Sequence, residues 1–120
     1  EISGCCLQAA TRDFARFGLF VLANGNAGGK QVTPPDWFAQ ATTKQKDIGV
    51  AGAGYGFQWW TFDDGTVAAR GIFGQAIFID PKRRLVIASN GDWSRATLGP
   101  EPAARLAFHR RVQALIDAGE

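Results

Sequence analysis

The chain opens with a stretch in which apolar side chains recur at helical spacing. They lie three or four residues apart on one side of a predicted helix, at Phe14, Phe17, Gly18, Val21 and Leu22. Thr11 is predicted to cap this helix, and the glycine-rich residues 25–29 are predicted to end it. A second, shorter helix is predicted to begin after a Thr33 cap, with Pro34 at its first position, and to fade by Thr43.

Further along, the pattern changes to short runs of aromatic and β-branched side chains, which are typical of strands. Four strands are predicted, at residues 55–62, 66–71, 75–79 and 85–88. The Asp-Asp-Gly sequence at 63–65 predicts a tight hairpin turn, and the proline-containing residues 80–84 predict another turn. The polar and then glycine-rich residues 44–54 predict a loop before the first strand.

The order of these elements indicates the fold class. A last helix is predicted from Pro102 to about Ala118, where Gly119 ends it. Strand connections of a few residues require antiparallel pairing, because parallel strands need a crossover of a dozen residues. The sequence therefore predicts an α+β fold, in which the N- and C-terminal helices pack on one face of an antiparallel sheet.

Composition and charge exclude several classes of protein. The chain has 120 residues, 46% apolar and 20% charged, which is typical of a single globular segment. Its 13 basic and 11 acidic residues nearly balance, so we expect no nucleic-acid partner. No apolar run approaches the ~18 residues of a membrane span, so we expect no membrane partner either.

Few residues in the sequence could bind a metal or form a disulfide. Cys5 and Cys6 are adjacent, and neighbouring cysteines rarely reach disulfide geometry, so we expect two small buried residues without a bridge. His109 lies in the last predicted helix without other ligands nearby, so we expect it to be a packing or surface residue and predict no metal site. The lack of a disulfide framework favours a cytoplasmic location.

One segment, residues 70–75, interrupts a β-rich run with two glycines three residues apart. Such glycines are typical of a bulge, or of a place where a ligand approaches the main chain. A main chain that admits a ligand can donate N–H groups to a developing oxyanion. The spacing alone leaves both interpretations open, because the sequence contains no Ser-x-x-Lys, Gly-x-Ser-x-Gly or His-Glu-x-x-His motif.

Two adjacent tryptophans, Trp59 and Trp60, lie in the first predicted strand. Adjacent strand residues face opposite sides of a sheet, so one ring is expected in the core and the other at the opposite surface. A tryptophan at that surface is either a pocket wall or a packing residue, and both alternatives stay open.

Four segments carry a resemblance that their order and spacing make specific. They are SGCCLQAATRDFARFG at 3–18, PPDWF at 34–38, YGFQWW at 55–60, and RGIFGQ at 70–75 with FIDP at 78–81. Together they resemble the C-terminal portion of serine hydrolases of the β-lactamase superfamily. Within that superfamily they are most similar to the 6-aminohexanoate-dimer hydrolases (nylon-oligomer hydrolases) and the related class C-like carboxylesterases.

The resemblance implies that residues 1–120 are part of a β-lactamase/transpeptidase-like fold. The enzyme would cleave linear amide or carboxylic ester bonds of a small molecule through an acyl-enzyme, without a cofactor. The backbone N–H of Ile72 would complete the oxyanion hole. The substrate-binding residues would be Trp59, Trp60, Gly71, Phe73 and Gly74.

The resemblance also implies that important parts of the enzyme lie elsewhere. The family's nucleophilic Ser-x-x-Lys and catalytic tyrosine precede these segments, and Tyr55 does not match the motif of that tyrosine. We therefore expect this chain alone to be inactive and to need the missing N-terminal part as its partner. The alternative is a non-catalytic, truncated relative that acts as a binding or interaction module through a bare sheet edge and an apolar face.

Overall fold

The computed structural model of this protein describes residues 6–119. Its helices are α1 (Thr11–Leu22), α2 (Trp37–Ala41) and α3 (Glu101–Ala118). Its strands are β1 (Asn26–Ala27), β2 (Lys30–Gln31), β3 (Lys46–Asp47), β4 (Ala53–Tyr55), β5 (Trp60–Phe62), β6 (Val67–Arg70), β7 (Ala76–Asp80) and β8 (Leu85–Ser89). Within residues 6–119, no helix combines the length and the apolar character that a membrane span requires.

Six strands form one antiparallel sheet in the order β3-β4-β5-β6-β7-β8, and β1 pairs with β2 in a separate hairpin. Neighbouring strands of the sheet are also neighbours along the chain, as short connections require. The predicted turn at 63–65 is confirmed: the Gly65 N–H donates to the Phe62 carbonyl at 3.0 Å, and Gly65 has a φ of 82°. The predicted α+β class with an antiparallel sheet is therefore confirmed.

The helices lie on opposite faces of the sheet, which corrects the prediction that they share one face. Gly18 of α1 lies against Ile77 of β7, and His109 of α3 stacks on Phe78 with ring centroids 4.3 Å apart. Because adjacent strand residues face opposite sides, α1 and α3 enclose β7 between them, and all five of its residues are buried. A strand covered on both faces is expected to be continuously apolar, and its Ala-Ile-Phe-Ile sequence has this character.

The main hydrophobic core lies between α1, α2 and the sheet. Its buried members are Val21, Phe38, Ala41, Trp59, Val67, Ile77 and Ile79. Gly18 allows α1 to approach the sheet closely, since a Cβ at this position would lie 2.4 Å from Cγ1 of Val86. Each large apolar side chain that this contact buries stabilises the fold by about 1.5–3 kcal/mol.

The predicted strand at 55–62 is in fact a hairpin made by β4 and β5. The chain reverses at Gly56, whose N–H donates to the Trp59 carbonyl at 2.8 Å. The next N–H, of Phe57, donates to the Ala41 carbonyl of α2 at 2.9 Å. Only glycine fits at position 56, because a Cβ there would lie 2.1 Å from that carbonyl oxygen. The predicted loop at 44–54 is likewise corrected, because it contains β3 and the start of β4.

Two predicted helix caps are wrong. Thr11 is the first helical residue, and Ala10 precedes it without a side-chain cap. The Thr11 hydroxyl instead accepts a hydrogen bond from Asn90 at 2.8 Å, which ties the start of α1 to the end of β8. The shorter helix α2 begins after Asp36, beyond Thr33, and also lacks a side-chain cap. By contrast, α3 ends at a left-handed Gly119, as predicted.

A buried polar network around Asp80 fixes α3 to the β7–β8 hairpin. Asp80 is 1% exposed and accepts hydrogen bonds from Gln113 Nε2 at 2.6 Å and from Arg83 Nη1 at 2.8 Å. Arg83 also donates to both carboxylate oxygens of Asp117, at 2.9 and 2.6 Å. Burial alone would raise the pKa of Asp80, but the hydrogen bonds from Gln113 and Arg83 outweigh it, so the pKa is lowered.

Cys6 is exposed and disulfide-bonded, which corrects the prediction of a small buried residue without a bridge. Cys5 lies outside the described residues. The prediction of a cytoplasmic location therefore has no support from the cysteines, since disulfides are rare in that compartment.

Candidate active-site turn

The glycine-containing segment identified in the sequence forms the turn that links β6 to β7. The ladder between these strands ends at the pair Arg70–Ala76. Beyond it, the Gly71 N–H donates to the Gln75 carbonyl at 3.0 Å, which closes the base of the turn. The three residues between form a 3₁₀ turn, Ile72–Gly74, outside the strand pairing. Two strands thus hold a short, closed turn in place.

Ile72 lies in this turn with 59% of its surface exposed. Among the turn, loop and cap hydrogen bonds within residues 6–119, none is donated by the Ile72 N–H, and the ladder does not reach it. This amide is therefore available to an acceptor from outside the chain. The oxyanion role that the resemblance implies for it stays a prediction.

The two residues that follow, Phe73 and Gly74, have left-handed backbone conformations. Phe73 has φ 61° and ψ 22°, and Gly74 has a φ of 100°. Such a conformation costs a bulky residue about 1–3 kcal/mol, and it persists only where surrounding contacts impose it. The Phe73 side chain is nevertheless 40% exposed. Backbone strain of this kind is typical of functional sites, and it favours a ligand-facing turn.

The loop that follows β8 holds the turn from outside. The Trp93 N–H donates to the Phe73 carbonyl at 3.2 Å, and the Phe73 N–H donates to the Ala96 carbonyl at 3.0 Å. The Gln75 side chain donates to the Gly91 carbonyl at 3.3 Å. The first two of these hydrogen bonds engage the N–H and the carbonyl of Phe73. The loop therefore imposes the strained backbone conformation of Phe73.

Sequence reasoning missed this part of the site, the 91–96 loop. The sequence predicts a strand that ends at residue 88 and predicts no role for the residues that follow it. The available signal was Trp93, an isolated large aromatic residue in a polar stretch, because such a side chain needs a packing partner.

Trp59 and Trp60 face opposite sides of the sheet, as predicted. Trp59 is 6% exposed and stacks on Phe17 of α1, with ring centroids 6.4 Å apart. Trp60 is half-buried and packs edge-on against Tyr55, while the Arg70 guanidinium lies 5.8 Å from its centroid. The two rings therefore do not share one cleft, and the substrate contact implied for each stays a prediction.

A shallow pocket of about 30 Å³ lies between α3 and the sheet. Arg70, Phe78, Leu106 and His109 are among the residues that line it, and the residues of the 3₁₀ turn are not. Sites for small molecules typically measure about 300–1,000 Å³, so this pocket is too small for a substrate.

His109 lies in this pocket, is 5% exposed, and should make stability depend on pH. Burial and the nearby charges of Arg105, Arg70 and Arg110 lower its pKa to about 4. The unfolded chain therefore binds a proton at higher pH than the folded chain does. The neutral His109 side chain therefore stabilises the folded chain fully above about pH 6.5. This contribution to the free energy of unfolding is lost as the pH falls to about 4.

Urea unfolding of the wild type and of His109→Gln, at about pH 7 and about pH 4.5, measures this effect. We expect the free energy of unfolding to fall less between the two pH values in the variant. Carboxylates contribute equally to both proteins, so an identical fall in both would contradict the role of His109.

Other catalytic groups are scarce in the part of the chain that the structure describes. Within residues 6–119, no group of three or more His, Cys, Asp and Glu side chains could hold a metal ion. Ser94 Oγ donates to Glu101 at 3.4 Å, and Ser89 Oγ is buried without a hydrogen-bond partner among these residues. Neither serine has a histidine or lysine base at hydrogen-bond distance there, so neither is arranged as a nucleophile.

Comparison with solved structures identifies a protein of similar fold. A protein from Bacillus anthracis, described as a "Putative 6-aminohexanoate-dimer hydrolase", matches 89% of this chain with a TM-score of 0.70 and 30% sequence identity. The chain resembles a 6-aminohexanoate-dimer hydrolase. This confirms the resemblance to these hydrolases that the four segments indicated. The chain spans 29% of the length of the Bacillus anthracis hydrolase. No protein-family model and no curated protein matches it.

Proposed function

We propose that this chain is part of a serine-dependent hydrolase that cleaves linear amide or carboxylic ester bonds through an acyl-enzyme. The similarity to the Bacillus anthracis hydrolase supports this assignment. In the complete enzyme the chain would form a section of a β-lactamase-like fold that borders the active site. The nucleophilic serine and its proton-transfer partners would come from the preceding part of the protein.

The amide of Ile72, which donates to no backbone carbonyl within residues 6–119, is the observation that carries the proposal. An oxyanion donor has to be free of acceptors within the protein and held rigidly in place. The Ile72 N–H lies outside the ladder, and the bond between Gly71 and Gln75 closes the turn beneath it. Gly71 directly precedes the donor and carries no side chain that could block a carbonyl group approaching the main chain.

The proposed reaction begins when the serine oxygen attacks the substrate carbonyl carbon. As the new C–O bond forms, an electron pair moves onto the carbonyl oxygen, which accepts a hydrogen bond from the Ile72 N–H. The serine proton passes through a base to the leaving amine or alcohol as the scissile bond breaks. Water then attacks the acyl-enzyme in the same way, releases the acid and restores the serine.

The side chains of Ile72 and Phe73 would form an apolar wall beside the reacting carbonyl. They are 59% and 40% exposed and adjacent along the chain, so both can contact a ligand at the turn. A run of methylene groups, as in a 6-aminohexanoate unit, suits such a wall because its burial is favourable without polar contacts.

Reconstitution tests the proposal. Residues 1–120 are co-expressed with the nucleophile-bearing region of the complete gene and assayed with a small nitrophenyl ester and with 6-aminohexanoate dimer. We expect hydrolysis only when both parts are present, and its loss when the serine of the Ser-x-x-Lys motif is replaced by alanine. A mixture no more active than either part alone would overturn the proposal.

One observation favours a second candidate function, that of a non-catalytic interaction module. β8 lies at the open edge of the sheet, its sequence is apolar, and all five of its residues are partly exposed. An edge strand without charges or proline is a template for pairing with another chain. Light scattering of the isolated chain distinguishes the two functions. A monomer that unfolds cooperatively favours a self-sufficient module, whereas tight dimers or aggregates favour one part of a larger sheet.

A further inference from the structure

Trp93 contacts the 3₁₀ turn through both its main chain and its ring. Its N–H donates to the Phe73 carbonyl, and a Cβ added to Gly74 would lie 2.6 Å from Nε1 and 2.8 Å from Cδ1 of the indole. The ring therefore occupies the space that any side chain at position 74 would need. Position 74 thus needs a glycine for two reasons, its φ of 100° and this contact.

Arg105 of α3 holds the indole of Trp93 from a second element. Its Cζ lies 4.6 Å from the ring centroid, within the range of a cation–π contact. Within residues 6–119 Arg105 forms no ion pair, and its Nη1 is buried without a hydrogen-bond partner. The guanidinium thus has the aromatic ring as its specific partner, and α3 is connected through Trp93 to the turn.

We propose that Trp93, supported by Arg105, is a positioning residue that aims the Ile72 N–H at the oxyanion. The inference rests on the proposed function. Phe73 is strained, and the bonds to the 91–96 loop impose its conformation. Without the ring, which fills the space beside Gly74 and contacts Arg105, the 91–96 loop would no longer be fixed against the turn. Phe73 would then relax toward a negative φ, and the donor beside it would shift. A misplacement of about 1 Å at a reacting group lowers the rate about 100-fold.

Single variants of the reconstituted enzyme give the first test. Trp93→Ala is expected to lower kcat about 100-fold with little change in KM, because the oxyanion bond strengthens in the transition state. Trp93→Phe keeps an aromatic face for Arg105 and should retain most of kcat. Trp37→Ala removes an exposed tryptophan from α2 and is the matched control, with kcat unchanged. An unchanged kcat in Trp93→Ala would overturn the inference.

A double-mutant cycle with Ile72→Pro, which removes the donor itself, gives the decisive test. If Trp93 acts through the Ile72 N–H, Trp93→Ala should cause no further loss of kcat in the Ile72→Pro background. Losses that multiply would overturn the positioning role while leaving the proposed function intact. An unchanged kcat in Ile72→Pro alone would overturn the proposed oxyanion function, and the inference with it.

Folding of Trp93→Ala is checked by circular dichroism. Should this variant not fold, Arg105→Gln replaces it in the cycle. Arg105→Gln is expected to lower kcat about tenfold through loss of the cation–π contact, again without further loss in the Ile72→Pro background. An unchanged kcat, or a loss that multiplies with that of Ile72→Pro, would again overturn the positioning role.

Discussion

Replacement of Ile72 by proline is expected to lower kcat of the reconstituted enzyme about 100- to 1,000-fold, the typical effect of losing one oxyanion donor. The substitution removes the amide hydrogen while the backbone is already suited to proline. Ile72 is the first residue of the 3₁₀ turn, a position where proline is tolerated. Gly71 before it has a ψ of 168°, the extended conformation that a residue preceding proline adopts.

Ile72→Ala is the matched control for this variant. It shortens the exposed side chain but keeps the N–H, so we expect KM to rise more than kcat falls. Steady-state kinetics with the nitrophenyl ester give both constants. Equal losses of kcat in the two variants would show that the side chain, and not the amide, matters. An unchanged kcat in the proline variant would refute the donor role.

Replacement of Asp80 by alanine is expected to lower the free energy of unfolding by about 1–3 kcal/mol, the typical effect of leaving a buried hydrogen-bond donor without its acceptor. Arg83 would lose its most buried acceptor. The Gln113 side chain amide, in a residue that is 4% exposed, would lose the hydrogen bond that joins α3 to β7. Arg83 would keep its ion pair with Asp117, so the loss comes mainly from this buried donor without a partner.

Asp117→Ala is the control at the solvent end of the same network. The Asp117 side chain is 55% exposed, so its ion pair with Arg83 should contribute under about 1 kcal/mol. Urea unfolding followed by circular dichroism measures both variants. Because the hydrogen bonds lower the pKa of Asp80, its contribution should be complete above about pH 4 and be lost as the pH falls further. Similar losses in the two variants would contradict the buried network.

The features that the sequence predicted correctly are those that local chemistry determines. The Asp-Asp-Gly turn at 63–65 and the helix end at Gly119 both depend on a glycine with positive φ, which short-range sequence reveals. The hairpin within 55–62 was missed because a tertiary contact determines it. Gly56 reverses the chain against the Ala41 carbonyl of another element, and no feature of the local pattern predicts that contact.

The candidate site likewise combines features that the sequence predicts with features that only the folded chain shows. The two glycines of the turn were visible in the sequence, because they interrupt a β-rich run. The contacts that hold this turn could not be predicted from the sequence. Gly74, Trp93 and Arg105 lie on three separate elements that only the folded chain brings together. The opposite placement of α1 and α3 was missed for a related reason. The short apolar run of β7 is compatible with burial on one face or on both.

The alternation along β7 has a consequence for how the chain selects one pairing of its strands. Ile77 and Ile79 face α1, whereas Phe78 and Asp80 face α3. A slip of one residue against β6 or β8 would exchange the two sets and drive the Asp80 carboxylate into an apolar layer without partners. The Asp80 carboxylate therefore helps to select the register of β7, the strand next to the sheet edge, and a chain without this charge would pair β7 less selectively with its neighbours.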